Sequence, residues 1–181
     1  MNTSYLKRKA DAFEVYIVNS NSLSAEISKN ELDFATEGKS EALAITVAKG
    51  KRIGFAFSTD TSDFKKVADK ALSVAMANSP DKDFKGFAAP KKVTPIKNYS
   101  DDLLSYTLQD FTGFHKQFIK GMRAADKSLV LSNAFFTKGT RTTRVINSEG
   151  IDLKETLALN TFSYELTIKR KGELVASGGS N

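Results

Sequence analysis

From Phe13 onward, apolar residues fall at every second position: Phe13, Val15 and Ile17, then Leu23, Ala25 and Ile27, then Leu32 and Phe34. Period two is the pattern of a strand with one buried face, so three strands are predicted, two of them separated by the turn-rich run Asn19-Ser20-Asn21-Ser22. Leu43, Ile45 and Val47 predict a fourth strand, Lys49-Gly50-Lys51 a turn, and Ile53, Phe55 and Phe57 a fifth. Gly54 and Ala56 face the other side of that fifth strand, where a bulky body can pack closely. Five strands joined by short turns predict a largely antiparallel sheet. Ahead of them, Ser4 to Ala12 fits a short helix capped by Thr3 or Ser4.

The period then changes. Phe64, Val67, Ala68, Ala71, Leu72, Ala75 and Met76 recur at helical spacing, opposite Lys65, Lys66, Asp69 and Lys70. Thr61 or Ser62 is the expected cap, with Asp63 in the first turn, and Asn78-Ser79-Pro80 stops the helix. The apolar face must be buried, and the preceding sheet is the expected partner. Residues 80–98 lack periodicity and hold Pro80, Pro90 and Pro95, as a linker would. A second helix is expected from about Leu103 to Ala125, with Leu104, Leu108, Phe111, His115, Phe118, Ile119 and Met122 turned inward. The last third returns to strands: Leu129–Lys138 ended by Gly139, Thr140–Ile146, a hairpin turn at Asn147-Ser148-Glu149-Gly150, Ile151–Leu159, Thr161–Lys169 and Leu174–Ser177. The fold class is therefore α+β: largely antiparallel sheets with two main amphipathic helices. Two β-rich lobes, 1–79 and 99–181, are joined by the linker 80–98. They echo each other in element order without a sequence repeat.

Composition narrows the chemistry. The 181 residues carry a net charge of +6 but no cysteine and a single histidine. Without cysteine there is no disulfide or thiolate chemistry, which fits the cytosol. No apolar run would span a bilayer, and no secretory leader is visible at the start, so a membrane partner is not expected. The basic residues are dispersed among acidic ones, which reads as a solvated surface rather than a nucleic-acid face. A zinc helix needs two histidines one turn apart with a glutamate, and nothing beside His115 completes it. No nucleophile elbow or phosphate-binding glycine loop is present. Asp101-Asp102 read as helix capping. Glu31, Asp33 and Glu37 read as a solvated strand face before a cation site, and Phe135-Phe136 as core before a base-stacking platform. No catalytic, cofactor-binding or metal-binding residue is assigned.

Three stretches together resemble the N-terminal region of the TldD/PmbA family. Gly38 to Asp60 runs through Arg52-Ile53-Gly54-Phe55-Ala56 to Thr59-Asp60, like the family's hairpin edge and helix start. Thr61 to Pro90 is a helix ending in Ser79-Pro80-Asp81, followed by Gly86 to Pro90, and is similar to the PmbA branch. Thr143 to Tyr164 holds the family's N-S-x-G turn at Asn147 to Gly150. The opening Ala10 to Ile17 also fits. The resemblance implies a cytoplasmic protein of a zinc metallopeptidase system for peptide maturation or degradation, also named modulators of DNA gyrase. It implies that the zinc-binding H-E-x-x-x-H helix belongs to a C-terminal catalytic-type half, absent from this chain, or to a partner. It further implies a homodimer or a TldD-like partner subunit, with unfolded peptide as substrate. This chain would be the substrate-admitting or assembly domain. The alternatives are a DNA- or gyrase-associated module, and an enzyme working with carboxylates alone, for which no diagnostic spacing exists.

Overall fold

The computed structural model describes residues 3–94, 105–170 and 172–180. The elements are α1 (Ser4–Lys9), β1 (Ala12–Ser28), β2 (Glu31–Lys49), β3 (Arg52–Ser58), α2 (Phe64–Ala77), α3 (Leu108–Ala125), β4 (Leu129–Asn147), β5 (Asp152–Arg170) and β6 (Glu173–Ser180). The strands form one six-stranded sheet in the order β3-β2-β1-β4-β5-β6, and the class is α+β. Tight turns make β1–β2, β2–β3 and β4–β5 hairpins, and β6 pairs antiparallel with β5. In β1, Phe13 lies beside Ser148, where β4 ends, while Lys29 and Asn30 bond Ser132 and Leu131, where β4 begins. That pair is therefore antiparallel too.

The strands are longer and fewer than the alternation predicted: the five expected before α2 are three, because the strand expected at Leu32–Phe34 and that at Leu43–Val47 are one continuous β2. Asn19 to Ser22 is not a turn: β1 runs straight through it. Pairing with β2 and β4 on either side satisfies this backbone, so short polar side chains do not interrupt it. Gly139 likewise does not end a strand. It sits inside β4, where a Cβ would come within 2.9 Å of the Asn21 carbonyl oxygen. The expected break between Leu159 and Thr161 is also absent, because β5 is continuous. At the start, α1 stops at Lys9 rather than Ala12. Ala10 is extended and the Asp11 N–H donates to the Ala48 carbonyl, which draws the chain into the sheet.

The chain divides into two compact units, each drawn from three segments. The first comprises Met1–Ser20, Ser40–Lys97 and Arg141–Thr156. Its core joins Leu6, Phe13, Val15, Leu43, Ile45, Val47 and Ala56 to Val67, Ala68, Ala71 and Ala75 of α2. The body that packs on Gly54 is α2: a Cβ there would lie 2.0 Å from the Ala71 carbonyl oxygen and 2.3 Å from the Ala75 nitrogen. The buried side of β3 is thus Gly54 and Ala56, while Phe55 and Phe57 are exposed by 53% and 70%. The α2 cap is Asp63, which accepts from Lys66 N at 3.0 Å. Thr61 and Ser62 are engaged elsewhere, Thr61 donating to Glu41 and Ser62 to Asp60.

In the same unit the Asn147-Ser148-Glu149-Gly150 turn is held by one buried side chain. Asn147 Oδ1 accepts from the N–H groups of Glu149 and Ile151, and its Nδ2 donates to the Ala88 carbonyl. Ser148 N–H donates to the Phe13 carbonyl, while Ser148 Oγ accepts from Phe13 N–H. Gly150 takes φ 100°, which a side chain would oppose.

The second unit comprises Asn21–Lys39, Asn98–Thr140 and Leu157–Asn181. Its core sets Phe111, Ile119 and Met122 of α3 against Ala25, Ile27, Leu131, Ala134 and Phe136. Phe111 stacks on Phe136 at 4.6 Å between ring centroids. The helix starts at Leu108, later than expected, because Thr107 and Asp110 form a reciprocal capping box. Asp101-Asp102, Leu103 and Leu104 lie outside the described residues. The β1–β2 turn, Lys29-Asn30, has φ 51° and 70°, as a two-residue hairpin turn of the primed type requires.

Two substitutions test this packing. Gly54→Ala pushes a methyl group into the α2 backbone and should lower stability in urea unfolding by about 3 kcal/mol, the upper end of overpacking costs. A change within experimental error would show that α2 is not seated on β3. Asn147→Ala strands two N–H groups and a carbonyl and should cost about 2–3 kcal/mol. An unaltered urea midpoint would mean that this turn is held without Asn147.

Candidate functional site: an open strand edge and its cavity

β3 is much shorter than the strand it covers. Its pairing with β2 runs from Lys49↔Arg52 to Leu43↔Ser58 and ends there. β2 continues back to Glu31, so on that side, among the described residues, residues 31–42 have no strand neighbour. Among the described residues, no turn or loop backbone bonds this edge either. A bare row of backbone donors and acceptors is a ready template for another strand. Alternation places Glu31, Asp33, Ala35, Glu37 and Lys39 on one side and Leu32, Phe34 and Thr36 on the other. Ala35 packs against the second core, whereas the charged residues beside it are exposed. Leu32 and Phe34 are exposed as well, by 40% and 46%.

The edge runs toward a cavity of about 690 Å³ lined by Gly38, Ser22, Tyr106, Lys138 and Gly139, among others. Glycine keeps its walls thin: a Cβ on Gly38 would come within 3.1 Å of Ser22 Oγ. Lys138 Nζ donates to the Tyr106 carbonyl. Hydrogen bonds from Thr107 at the mouth of α3 hold the Asp110 carboxyl below the usual carboxylate range. A second open edge belongs to β6. Leu174 and Val175 are exposed there, and Gly179 is packed against the Tyr164 ring on β5.

The residues singled out from the sequence do not converge. Glu31, Asp33 and Glu37 stand along the open edge. Phe136 is core and Phe135 exposed. His115 is buried on α3, with Nε2 unpartnered, and its ring bonds the Asn30 backbone. The strand-dense stretches Phe13–Ser58 and Leu129–Ser177 pointed to sheet edges able to take up peptide, but not to which edge is open or to the cavity, because the ends of strand pairing depend on neighbours distant in the chain.

Residues 13–75 match the family model described as PmbA/TldA metallopeptidase domain 1. Over this third of the chain the sequence is similar to domain 1 of the PmbA/TldD family. The matched stretch runs from the start of β1 almost to the end of α2 and includes the whole open edge. Among solved structures, TldE from Thermococcus kodakarensis superposes with a TM-score of 0.90 at 19% identity, over 98% of this chain and 41% of that one. A candidate modulator of DNA gyrase from Thermotoga maritima MSB8 gives 0.79 at 13%, over 98% and 40%. Another from Bacteroides thetaiotaomicron VPI-5482 gives 0.76 at 16%, over 97% and 41%. These likenesses establish the fold across nearly the whole chain. The chain spans about two fifths of the length of these structures. No curated protein matches it. The PmbA/TldD match does not separate the PmbA branch from the TldD branch.

The matched family description implies a metal, and the donor set of the described residues does not fit one. Zinc is held by histidine, cysteine and carboxylate ligands. The single histidine is turned into the packing around Asn30, and among the described residues no group of three such ligands comes together. Among them, too, no helix is long and apolar enough to cross a membrane.

Burial lowers the pKa of His115, against the hydrogen bond to Asn30, which raises it; nearby Lys116 lowers it further. A folded pKa below the unfolded value means that protonation favours unfolding. The contribution is fully present above about pH 6.5 and is lost as the pH falls through the folded value. The urea midpoint should therefore drop between about pH 7 and pH 5, and drop less in His115→Gln. Equal drops in both proteins would show that His115 titrates alike in the folded and unfolded chains.

Proposed function

We propose that this chain is the substrate-admitting and assembly domain of a TldD/PmbA-type metallopeptidase system that matures or degrades peptides. The observation that supports this most directly is the unpaired edge of β2 running toward a cavity, within a stretch matched to domain 1 of that family. An unfolded peptide can add to such an edge through backbone hydrogen bonds with little demand on its sequence. The zinc chemistry would then lie in a catalytic-type C-terminal half or partner. The working assembly would be a homodimer or a pair with a TldD-like subunit, in the cytoplasm. A DNA- or gyrase-associated role has the names of two structural relatives behind it, but the edge carries carboxylates, which repel phosphate.

The test is cleavage of a labelled unfolded peptide in the presence of zinc, by the chain alone and with a catalytic-type TldD subunit from the same genome. No turnover is expected from the chain alone. In the mixture, a co-eluting complex should turn the peptide over at an altered rate. Turnover by the chain alone, or a mixture with neither complex nor rate change, would sink the proposal.

A further inference from the structure

Edge strands of soluble proteins are commonly defended by charge, proline or a bulge. Along the open edge of β2 the charges are Glu31, Asp33 and Glu37, with Lys39 closing the row. None of these three carboxylates makes an ion pair with another described residue. Their spacing argues against a second copy of the same edge as partner. In an antiparallel pairing centred on Ala35, Asp33 of each copy faces Glu37 of the other, two repulsive pairs against the two attractive Glu31–Lys39 pairs. Centred on Phe34, Glu31 faces Glu37. Like charges directly opposite each other destabilise a strand pair, and opposite charges stabilise it.

We propose that the open edge of β2, Glu31–Lys39, takes up an extended basic peptide as an added antiparallel strand. Lys or Arg at alternate positions of the peptide would meet Glu31, Asp33 and Glu37. The intervening side chains, small and apolar, would lie on the side of Leu32 and Phe34. The pleat repeats every two residues in both strands, at about 6.6 Å, so one alternating pattern keeps step along the whole edge. This inference rests on the peptide-admitting reading above and specifies its site and the class of peptide.

The experiment is fluorescence anisotropy with the full chain and three labelled heptapeptides: alternating Lys-Val, alternating Glu-Val, and Lys-Val with alternate backbone nitrogens methylated. Lys-Val should bind about tenfold more tightly than Glu-Val at physiological salt, the sum expected of three exposed ion pairs. Methylation should abolish binding, because it removes the ladder donors. Reversing the charges together, in Glu31→Lys, Asp33→Lys and Glu37→Lys, should invert the preference between the first two peptides. Circular dichroism checks that this variant is folded, and the native chain's preference among the peptides stands as a test without it. Equal binding of the methylated peptide would overturn the proposal in favour of diffuse electrostatics. Methylation-sensitive binding that ignores charge would overturn this inference and leave the peptide-admitting reading intact. Absence of binding by every peptide would overturn both.

Discussion

Backbone pairing along β1 is the constraint from which the rest of the molecule follows. This strand of 17 residues is flanked by β2 on one side and β4 on the other. It supplies Phe13 and Val15 to one core and Ala25 and Ile27 to the other. All four occupy odd-numbered positions, so the period-two rule holds along its whole length. A slip of one residue in its register would turn every one of these side chains to the wrong face. The polar run from Asn19 to Ser22 survives inside it because hydrogen bonds on both sides make a turn more costly than a continued strand.

Each unit solves the same packing problem. A sheet with one apolar face must be covered, and one amphipathic helix covers it. In the first unit α2 lies so close to β3 that only glycine fits at position 54. In the second, α3 seats Phe111 on Phe136 and buries the only histidine of the chain. Two of the stretches read as resembling the PmbA/TldD family fall on packing and turn devices. Gly54 lets the helix approach, and Asn147 closes a turn against Phe13 and Ala88. Both are structural roles, which is why they offered no chemistry when read as a sequence.

The functional consequence comes from unequal strand lengths. β3 has 7 residues against 19 in β2, so a long strand is left half covered. What remains bare is backbone, which recognises other backbone, and the flanking carboxylates then select by charge. The role proposed for this edge, positioning and selecting a peptide, rests on that geometry rather than on any bond-breaking group.

Local physics explains which parts of the molecule were legible without a structure. Alternation located most of the strand residues but read β2 as two strands, ending at Phe34 and starting again at Leu43; helical spacing located α2 and α3, and the tight turns at Gly50 and Gly150 were visible from residue type. These depend on neighbours a few positions away. Where strands join, which face of β3 is core, and where pairing stops depend on residues far apart in sequence. Phe55 and Phe57 are more apolar than Gly54 and Ala56, yet the small pair is buried, because the approach of α2 matters more there than side-chain hydrophobicity. Glu31, Asp33 and Glu37 looked like any solvated strand face. That they border an unpaired edge is a fact about where β3 ends. The sequence alone thus determined the element types, the α+β class and the lack of a metal motif. Only tertiary structure decided the faces, the ends of the pairing and hence the site, because those outcomes are set by competition among distant segments for the same backbone hydrogen bonds.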